Sequence, residues 1–148
     1  MQFDYMIQPI IMGGVVKEVT PSTLKIHLHG RLGVITIPRI LIIDDKTVEL
    51  GQEMKFYFSY IQVVEHPYDY DSTDMVTTHE ITPCLLGGTI IEVNDTAAKI
   101  AVMNQLGIIA VPRRWLFTPV PLREGLTVEF YFSCMEITDV KRNIPQVV

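Results

Sequence analysis

The chain has little cysteine, little histidine and no excess of basic residues. Of its 148 residues, two are cysteines and four are histidines, and 12 lysines and arginines stand against 17 acids. Two cysteines are too few for a disulfide framework, which favours a reduced, cytoplasmic protein. A net charge of −5 makes nucleic acid an unfavoured partner, since phosphate backbones bind basic surfaces. No stretch reads as a signal peptide or a membrane span, so no membrane partner is expected.

Helical periodicity is nearly absent as well. Apolar and polar residues alternate over short stretches, and turn signals recur every eight to twelve residues. This pattern is typical of a half-buried sheet made of short strands. The sequence therefore predicts an all-β fold.

What the chain does contain is an internal repeat. Residues 7–65 and 81–139 align without a gap at an offset of 74, and 18 of the 59 aligned pairs are identical. We call these segments repeat 1 and repeat 2, and residues 74 positions apart are equivalent. The repeat predicts two β-barrels, at 1–65 and 81–148, joined by a solvated acidic linker at 66–80. Units this short bury little surface alone, so we expect them to pack together or on a second chain.

Each repeat reads as a hairpin followed by a long strand. In repeat 1 the hairpin strands are Leu24–His29 and Gly33–Ile37, and a tight turn between them pairs Ile26 with Ile35. The last strand, Met54–Val64, alternates apolar and polar residues. Its inward residues are Met54, Phe56 and Phe58.

This order of elements resembles small barrels of the OB, S1-like, Mop-like and SH3-like kinds. The stretches GRLGVITIPR at 30–39 and FYFS at 56–59 are also similar to a family of short, uncharacterised β-barrel proteins from anaerobic Firmicutes, here as a tandem duplication. The resemblance implies two tandem OB-like or SH3-like barrels and brings no known activity.

Arginine follows proline at the same place in both repeats. These residues are Arg39 and Arg113, and Arg114 is adjacent to the second. Arginines held at strand ends can grip phosphate or carboxylate through two parallel hydrogen bonds. The three are candidate ligand-binding residues for a small anion. The alternative is that they cover the ends of the barrels with their aliphatic stems.

The repeats differ most on the outward face of the hairpin. Repeat 1 carries Lys25, His27 and His29 there, whereas the same face of repeat 2 is apolar and unusual to leave in water. We therefore predict a contact surface on repeat 2 that packs against repeat 1 or a partner chain. The outward tyrosines of the long strands are predicted to belong to the same contact. The predicted contact residues are Tyr57, Ala101, Met103, Ile108, Ala110, Trp115, Tyr131 and Met135.

Catalytic and metal chemistry have little support. His27 and His29 point the same way along a strand, as two metal ligands would, but their neighbours Lys25 and Arg31 add no further ligand. No glycine-rich phosphate loop opens a helix, and no basic residue adjoins a cysteine to activate its thiol. We therefore expect no metal, cofactor or catalytic residue, and we do not expect the protein to be an enzyme.

Three functions remain open. The leading one is a non-catalytic binding or assembly module that acts through protein–protein contacts and forms a homo-oligomer. The first alternative is a binder of small anions or carboxylates, of Mop-like type, that uses Arg39 and Arg113 where the barrels meet. The second is an OB-like nucleic-acid-binding protein that uses Tyr57, Tyr131, Lys25 and Lys99, with the tyrosines stacking on bases.

Overall fold

A computed structural model describes residues 7–43, 48–78 and 80–138. The outer ends of the two predicted barrels, at 1–6 and 139–148, lie outside the described residues. The described strands are β1 (Ile10–Val19), β2 (Thr23–Leu28), β3 (Val34–Pro38), β4 (Glu53–Phe58), β5 (Ile61–Val63), β6 (Cys84–Val93), β7 (Ala97–Val102), β8 (Ile108–Pro112), β9 (Leu116–Phe117), β10 (Thr127–Phe132) and β11 (Glu136–Ile137). The helix α1 spans Thr73–Thr78, and 3-10 turns lie at His29–Arg31, Arg39–Leu41, Met103–Gln105 and Arg113–Trp115.

The strands of both repeats belong to one sheet, and the all-β prediction is confirmed. Neighbouring strands run in the order β11-β4-β1-β2-β3-β8-β7-β6-β10-β5-β9, and β4 also pairs with β10. That last pairing closes eight strands, four from each repeat, into a barrel-like ring. The repeats therefore meet at two joints, β3 with β8 and β4 with β10.

Both joints are centred on equivalent residues. At the first joint Ile35 lies opposite Ile109, and at the second Phe58 lies opposite Phe132. Each pair is separated by the 74-residue offset of the repeat. The two repeats are thus related by a local two-fold axis that passes through both joints, like the subunits of a symmetric dimer.

The repeats also exchange their last strands. Strand β5 of repeat 1 pairs with β10 of repeat 2, and β11 of repeat 2 pairs with β4 of repeat 1. The single long strand predicted for Met54–Val64 is therefore two strands, because the chain bends at Ser59 and Tyr60. Each repeat completes the sheet of the other, which separate barrels would not do.

The core is continuous across the two joints. Phe58 packs edge-on against Phe130 and Phe132, with ring centroids 6.0 Å apart in both pairs. Phe56 meets Phe132 at 5.7 Å in the same geometry, which aromatic quadrupoles favour. The inward side chains predicted for Met54, Phe56 and Phe58 are confirmed, since all three are fully buried.

The predicted hairpin register is confirmed as well. Ile26 lies opposite Ile35, and the turn between β2 and β3 has positive φ at Gly30 and Arg31, at 74° and 58°. The equivalent turn in repeat 2 has the same handedness at its first two residues. Glycine and asparagine adopt this conformation most readily, which explains why they start the two turns.

Residues 70–78 of the predicted linker are mostly exposed, but two of them, Ser72 and Met75, are buried against repeat 2. Helix α1 buries Met75, whose carbonyl accepts a hydrogen bond from the Cys134 thiol at 3.0 Å. Ser72 accepts a bond from the amide of Asn104 at 3.0 Å. The apolar Met75 and these polar contacts fix the segment on repeat 2. Among the described residues, no helix is long and apolar enough to cross a membrane.

Candidate functional site

A cleft of about 390 Å³ lies where β1, β4 and β11 meet the end of the linker. Both repeats and the linker contribute to it. It is lined by Ile11 of β1, by Ile43, by Lys55 and Tyr57 of β4, by Glu80 at the end of the linker, by Ile81 at the start of repeat 2, and by Glu136 of β11. The cleft thus combines an apolar wall with two carboxylates and one ammonium group.

The charged pair of the cleft depends on the strand exchange. Because β11 crosses to repeat 1, Glu136 lies opposite Lys55 on β4. The Lys55 Nζ and Glu136 Oε1 atoms are 3.4 Å apart, and each side chain is 44% exposed. Ion pairs this exposed contribute about 0–1 kcal/mol, so an incoming group can displace either partner at little cost.

Tyr57 is held in the cleft wall by its backbone. Its N–H donates to the Ser133 hydroxyl at 2.8 Å, and the N–H of Tyr131 donates to the Ser59 hydroxyl at 2.8 Å. These reciprocal bonds cross the joint between β4 and β10. The two tyrosines predicted as contact residues are both half-buried, and Tyr57 lines the cleft.

The equivalent surface of repeat 2 is covered by the chain itself. There Glu129 takes the place of Lys55 and Gln62 the place of Glu136. Glu129 is only 5% exposed and accepts hydrogen bonds from the Gln62 amide and the Tyr70 hydroxyl, both at 2.6 Å. The Tyr70 ring lies against Gly87, where a Cβ would be 2.6 Å from two of the ring carbons.

Tyr70 loses this arrangement at alkaline pH. Burial raises the pKa of the Tyr70 hydroxyl, and the Glu129 carboxylate raises it further. In the unfolded chain the phenol ionises near pH 10. The stabilisation from Tyr70 is therefore present below about pH 10 and is lost as the pH rises above it.

Tyr70→Phe is expected to lower the free energy of unfolding by about 1–3 kcal/mol, because Glu129 loses a donor while it stays buried. The alkaline loss of stability should shrink in the same variant. Urea denaturation at neutral and alkaline pH measures both effects. Tyr68→Phe is the control, since Tyr68 is largely exposed and should change stability by less than about 0.5 kcal/mol. Equal stability of the two variants would contradict the assignment.

Arg39 and Arg113 of the predicted anion site each bind a turn of their own repeat. Arg39 donates to the carbonyl of Thr20 at 3.0 Å, and Arg113 donates to that of Asn94 at 2.7 Å. Each holds the turn between the first two strands of its own repeat. Because β3 and β8 run in opposite directions from Ile35 and Ile109, the two arginines lie roughly 25 Å apart along the sheet. They do not converge on one small anion.

Arg114 lies apart from both of these turns. It is exposed, and its guanidinium donates to the carbonyl of Arg31 at 3.4 Å. The contact joins repeat 2 to the hairpin turn of repeat 1. Among the described residues, neither a carboxylate nor a second guanidinium is placed beside the Arg114 guanidinium.

Two predicted contact residues lie inside the molecule, not on an outer face. The 3-10 turn at Arg113–Trp115 buries Trp115, whose indole donates to the carbonyl of Ser59 at 2.9 Å and stacks on Tyr60. Met135 is fully buried because β10 ends at Phe132, so strand alternation does not extend to it. Both residues join the repeats to each other.

The other predicted contact residues surround the first joint. Ile108 is 43% exposed, and Ala101 and Ala110 are half-buried on the outer side of the ring. Met103 instead begins a turn, and its sulfur accepts a bond from the N–H of Gly87 at 3.3 Å. Self-association through this outer face stays a prediction.

The two histidines are separated by the end of β2. His27 remains on the strand between Val15 and Val34, whereas His29 lies in the turn, with Nε2 3.5 Å from a Glu53 oxygen. In the described ranges no three histidine, cysteine or acidic side chains are grouped as metal ligands.

Neither cysteine is activated as a nucleophile. Both thiols are free. Burial raises the pKa of the Cys134 thiol and, with Asp71 and Asp74 nearby, that of Cys84. A raised pKa leaves a thiol protonated and unreactive at neutral pH.

Sequence reasoning missed the cleft and the covered surface of repeat 2. One signal was available. Lys55 aligns with Glu129, and Glu136 aligns with Gln62, so the charge reverses at one position and disappears at the other. Without the strand exchange, nothing in the sequence places these four side chains at two equivalent sites.

The molecule is therefore an all-β, barrel-like protein in which two repeats form one sheet, and its described residues line a cleft. No protein-family model matches the chain and no curated protein is similar to it, so the resemblance to short Firmicutes proteins stays a prediction. One solved structure, a cytoplasmic molybdate-binding protein ModG with molybdate bound, is similar over 85% of this chain and 92% of its own. The identity is 15% and the TM-score 0.24, too low to define a shared fold or function.

Proposed function

We propose that this protein is a non-catalytic, cytoplasmic binding module that holds a segment of a partner protein in the cleft of repeat 1. The observation that carries the proposal is the difference between the two equivalent surfaces. On repeat 2 the chain's own segment around Tyr70 covers Gly87 and Glu129. On repeat 1, among the residues that the structure describes, the corresponding surface is an open cleft.

The composition of the cleft supports a peptide as the occupant. Ile11 is 52% exposed, and Ile43, Tyr57 and Ile81 line the same space. Binding pockets combine an apolar lining with a few polar groups that fix orientation, within volumes of about 300–1,000 Å³. On the equivalent surface of repeat 2, a short segment of the chain places the aromatic side chain of Tyr70 against Gly87 and Glu129, which supports a peptide as the occupant here.

The two alternative functions have weaker geometric support. Anion binding at the junction requires Arg39 and Arg113 to converge, and the sheet separates them. Base stacking on Tyr131 would bring nucleic-acid phosphates near the buried Glu129 carboxylate, which repels them. A peptide in the cleft meets neither obstacle.

Selection of short random peptides on the full chain tests the proposal. Peptides that depend on the cleft should be enriched on the wild type and lost on Ile11→Arg, which fills the cleft with a charged side chain at an exposed position. Ile108→Arg is the matched control, because Ile108 is similarly exposed on the outer face of the ring. Binding should survive that change.

Two results would overturn the proposal. If no peptide is enriched in an Ile11-dependent way, the cleft is not a peptide site. If binding is lost in Ile108→Arg and kept in Ile11→Arg, the contact lies on the outer face.

A further inference from the structure

The cleft has an excess of negative charge that its own residues do not neutralise. Lys55 is 3.4 Å from Glu136, and no ion pair in the described part of the chain engages Glu80, which is exposed. The local potential therefore attracts cations.

The carboxylate on the covered surface of repeat 2, which takes the place of Lys55, is satisfied differently. Glu129 is buried and its oxygens accept bonds from two neutral groups, Gln62 and Tyr70. Glu129 therefore needs no further hydrogen-bond donor. In the cleft, by contrast, Glu80 is exposed and can pair with a cationic donor. Glu136 can also exchange its present partner, Lys55, for a cation of the ligand.

The apolar part of the cleft lies next to these carboxylates. Ile11, Ile43 and Ile81 line the same space as Glu80 and Glu136. An occupant that satisfies both parts needs a cationic side chain close in sequence to an aliphatic one. A small cation would leave the isoleucines exposed, and a purely apolar segment would leave Glu80 without a partner.

We propose that the partner segment carries lysine or arginine next to an aliphatic residue. The cation pairs with Glu80 and competes with Lys55 for Glu136, while the aliphatic side chain packs on Ile11 and Ile81. This inference rests on the proposed peptide-binding function and adds the chemistry of the ligand. Acidic partners are disfavoured by the same carboxylates.

Three labelled peptides of equal length test the inference in fluorescence anisotropy with the full chain. One has Arg-Lys followed by Ile-Ile, the second has Glu-Asp in place of Arg-Lys, and the third has Ser-Ser in place of Ile-Ile. The first should bind about tenfold more tightly than either of the others. Its affinity should also fall as salt is raised, because exposed charges are screened.

A charge variant locates the contact. Glu80→Gln should weaken binding of the Arg-Lys-Ile-Ile peptide about two- to fivefold, the range of a solvent-exposed ion pair. Asp95→Asn is the matched control, since Asp95 is an exposed acid in the turn between β6 and β7, and it should change nothing.

The outcomes separate this inference from the proposed function. If selected peptides bind the cleft but are neutral or acidic, or if Glu80→Gln binds as the wild type does, the ligand chemistry is wrong and the peptide site stands. If no peptide binds in an Ile11-dependent way, both fail. If the Arg-Lys-Ile-Ile peptide binds a chain shortened to residue 138 but not the full chain, residues 139–148 compete with it for the cleft. The proposal of a separate partner protein is then overturned.

Discussion

Gly33→Ala is expected to destabilise the protein by about 4 kcal/mol or more, within the small class of severe single substitutions. A Cβ at Gly33 would lie 1.9 Å from the carbonyl oxygen of Ala110 on the facing strand. The backbone there has a φ of +116°, which strains any L side chain by a further 1–3 kcal/mol or so. The joint between β3 and β8 would have to open to admit one methyl group.

The control for this prediction is Gly51→Ala. Gly51 also has a positive φ, at +87°, but nothing lies within 4 Å of its Cβ position. It therefore carries the backbone strain of about 1–2 kcal/mol alone. Urea denaturation of both variants separates strain from the joint. Equal losses at Gly33 and Gly51 would show that the close approach of the two repeats does not matter.

Ser59→Ala and Ser133→Ala should each lower the free energy of unfolding by about 2–3 kcal/mol. Each serine is fully buried, and each hydroxyl accepts a bond across the joint and donates to the next carbonyl in its own chain segment. Alanine leaves one N–H and one carbonyl without a partner, at about 1–3 kcal/mol per group. The double variant should approach complete unfolding.

The matched control is Ser22→Ala, at an exposed turn, where the change should stay within about 0.5 kcal/mol. A double-mutant cycle adds a sharper test, because both serines act on the same pair of strands and their effects should couple. If either buried serine behaves like Ser22, the reciprocal hydrogen bonds do not hold the second joint together.

Local features of the fold were predictable because they depend on neighbouring residues. Alternation fixes which face of a strand is buried, so the inward position of Phe56 and the pairing of Ile26 with Ile35 follow from the sequence. The glycine and asparagine that begin the hairpin turns follow from the handedness of the turn.

Features that depend on which strands pair with each other were not predictable from the sequence. The outward place expected for Met135 assumed that β10 continues, whereas the chain bends after Phe132 and crosses to repeat 1. The same crossing brings Glu136 to Lys55 and creates the cleft. Arg39 and Arg113 were expected to act together because both repeats keep them, but a two-fold axis places equivalent residues far apart unless they lie on it.

A single chain here makes contacts of the kind that join the subunits of a homodimer. They are the reciprocal bonds of the two serines, the pairing of the two central isoleucines and the exchange of the last strands. Two separate copies of one repeat would need to find each other, and their stability would fall on dilution. Covalent fusion makes that encounter intramolecular, at an effective concentration set by the connecting segment. It also lets one half change without the other, which is how the connecting segment can cover one surface through Tyr70 while the described residues of the other half leave a cleft at the equivalent place.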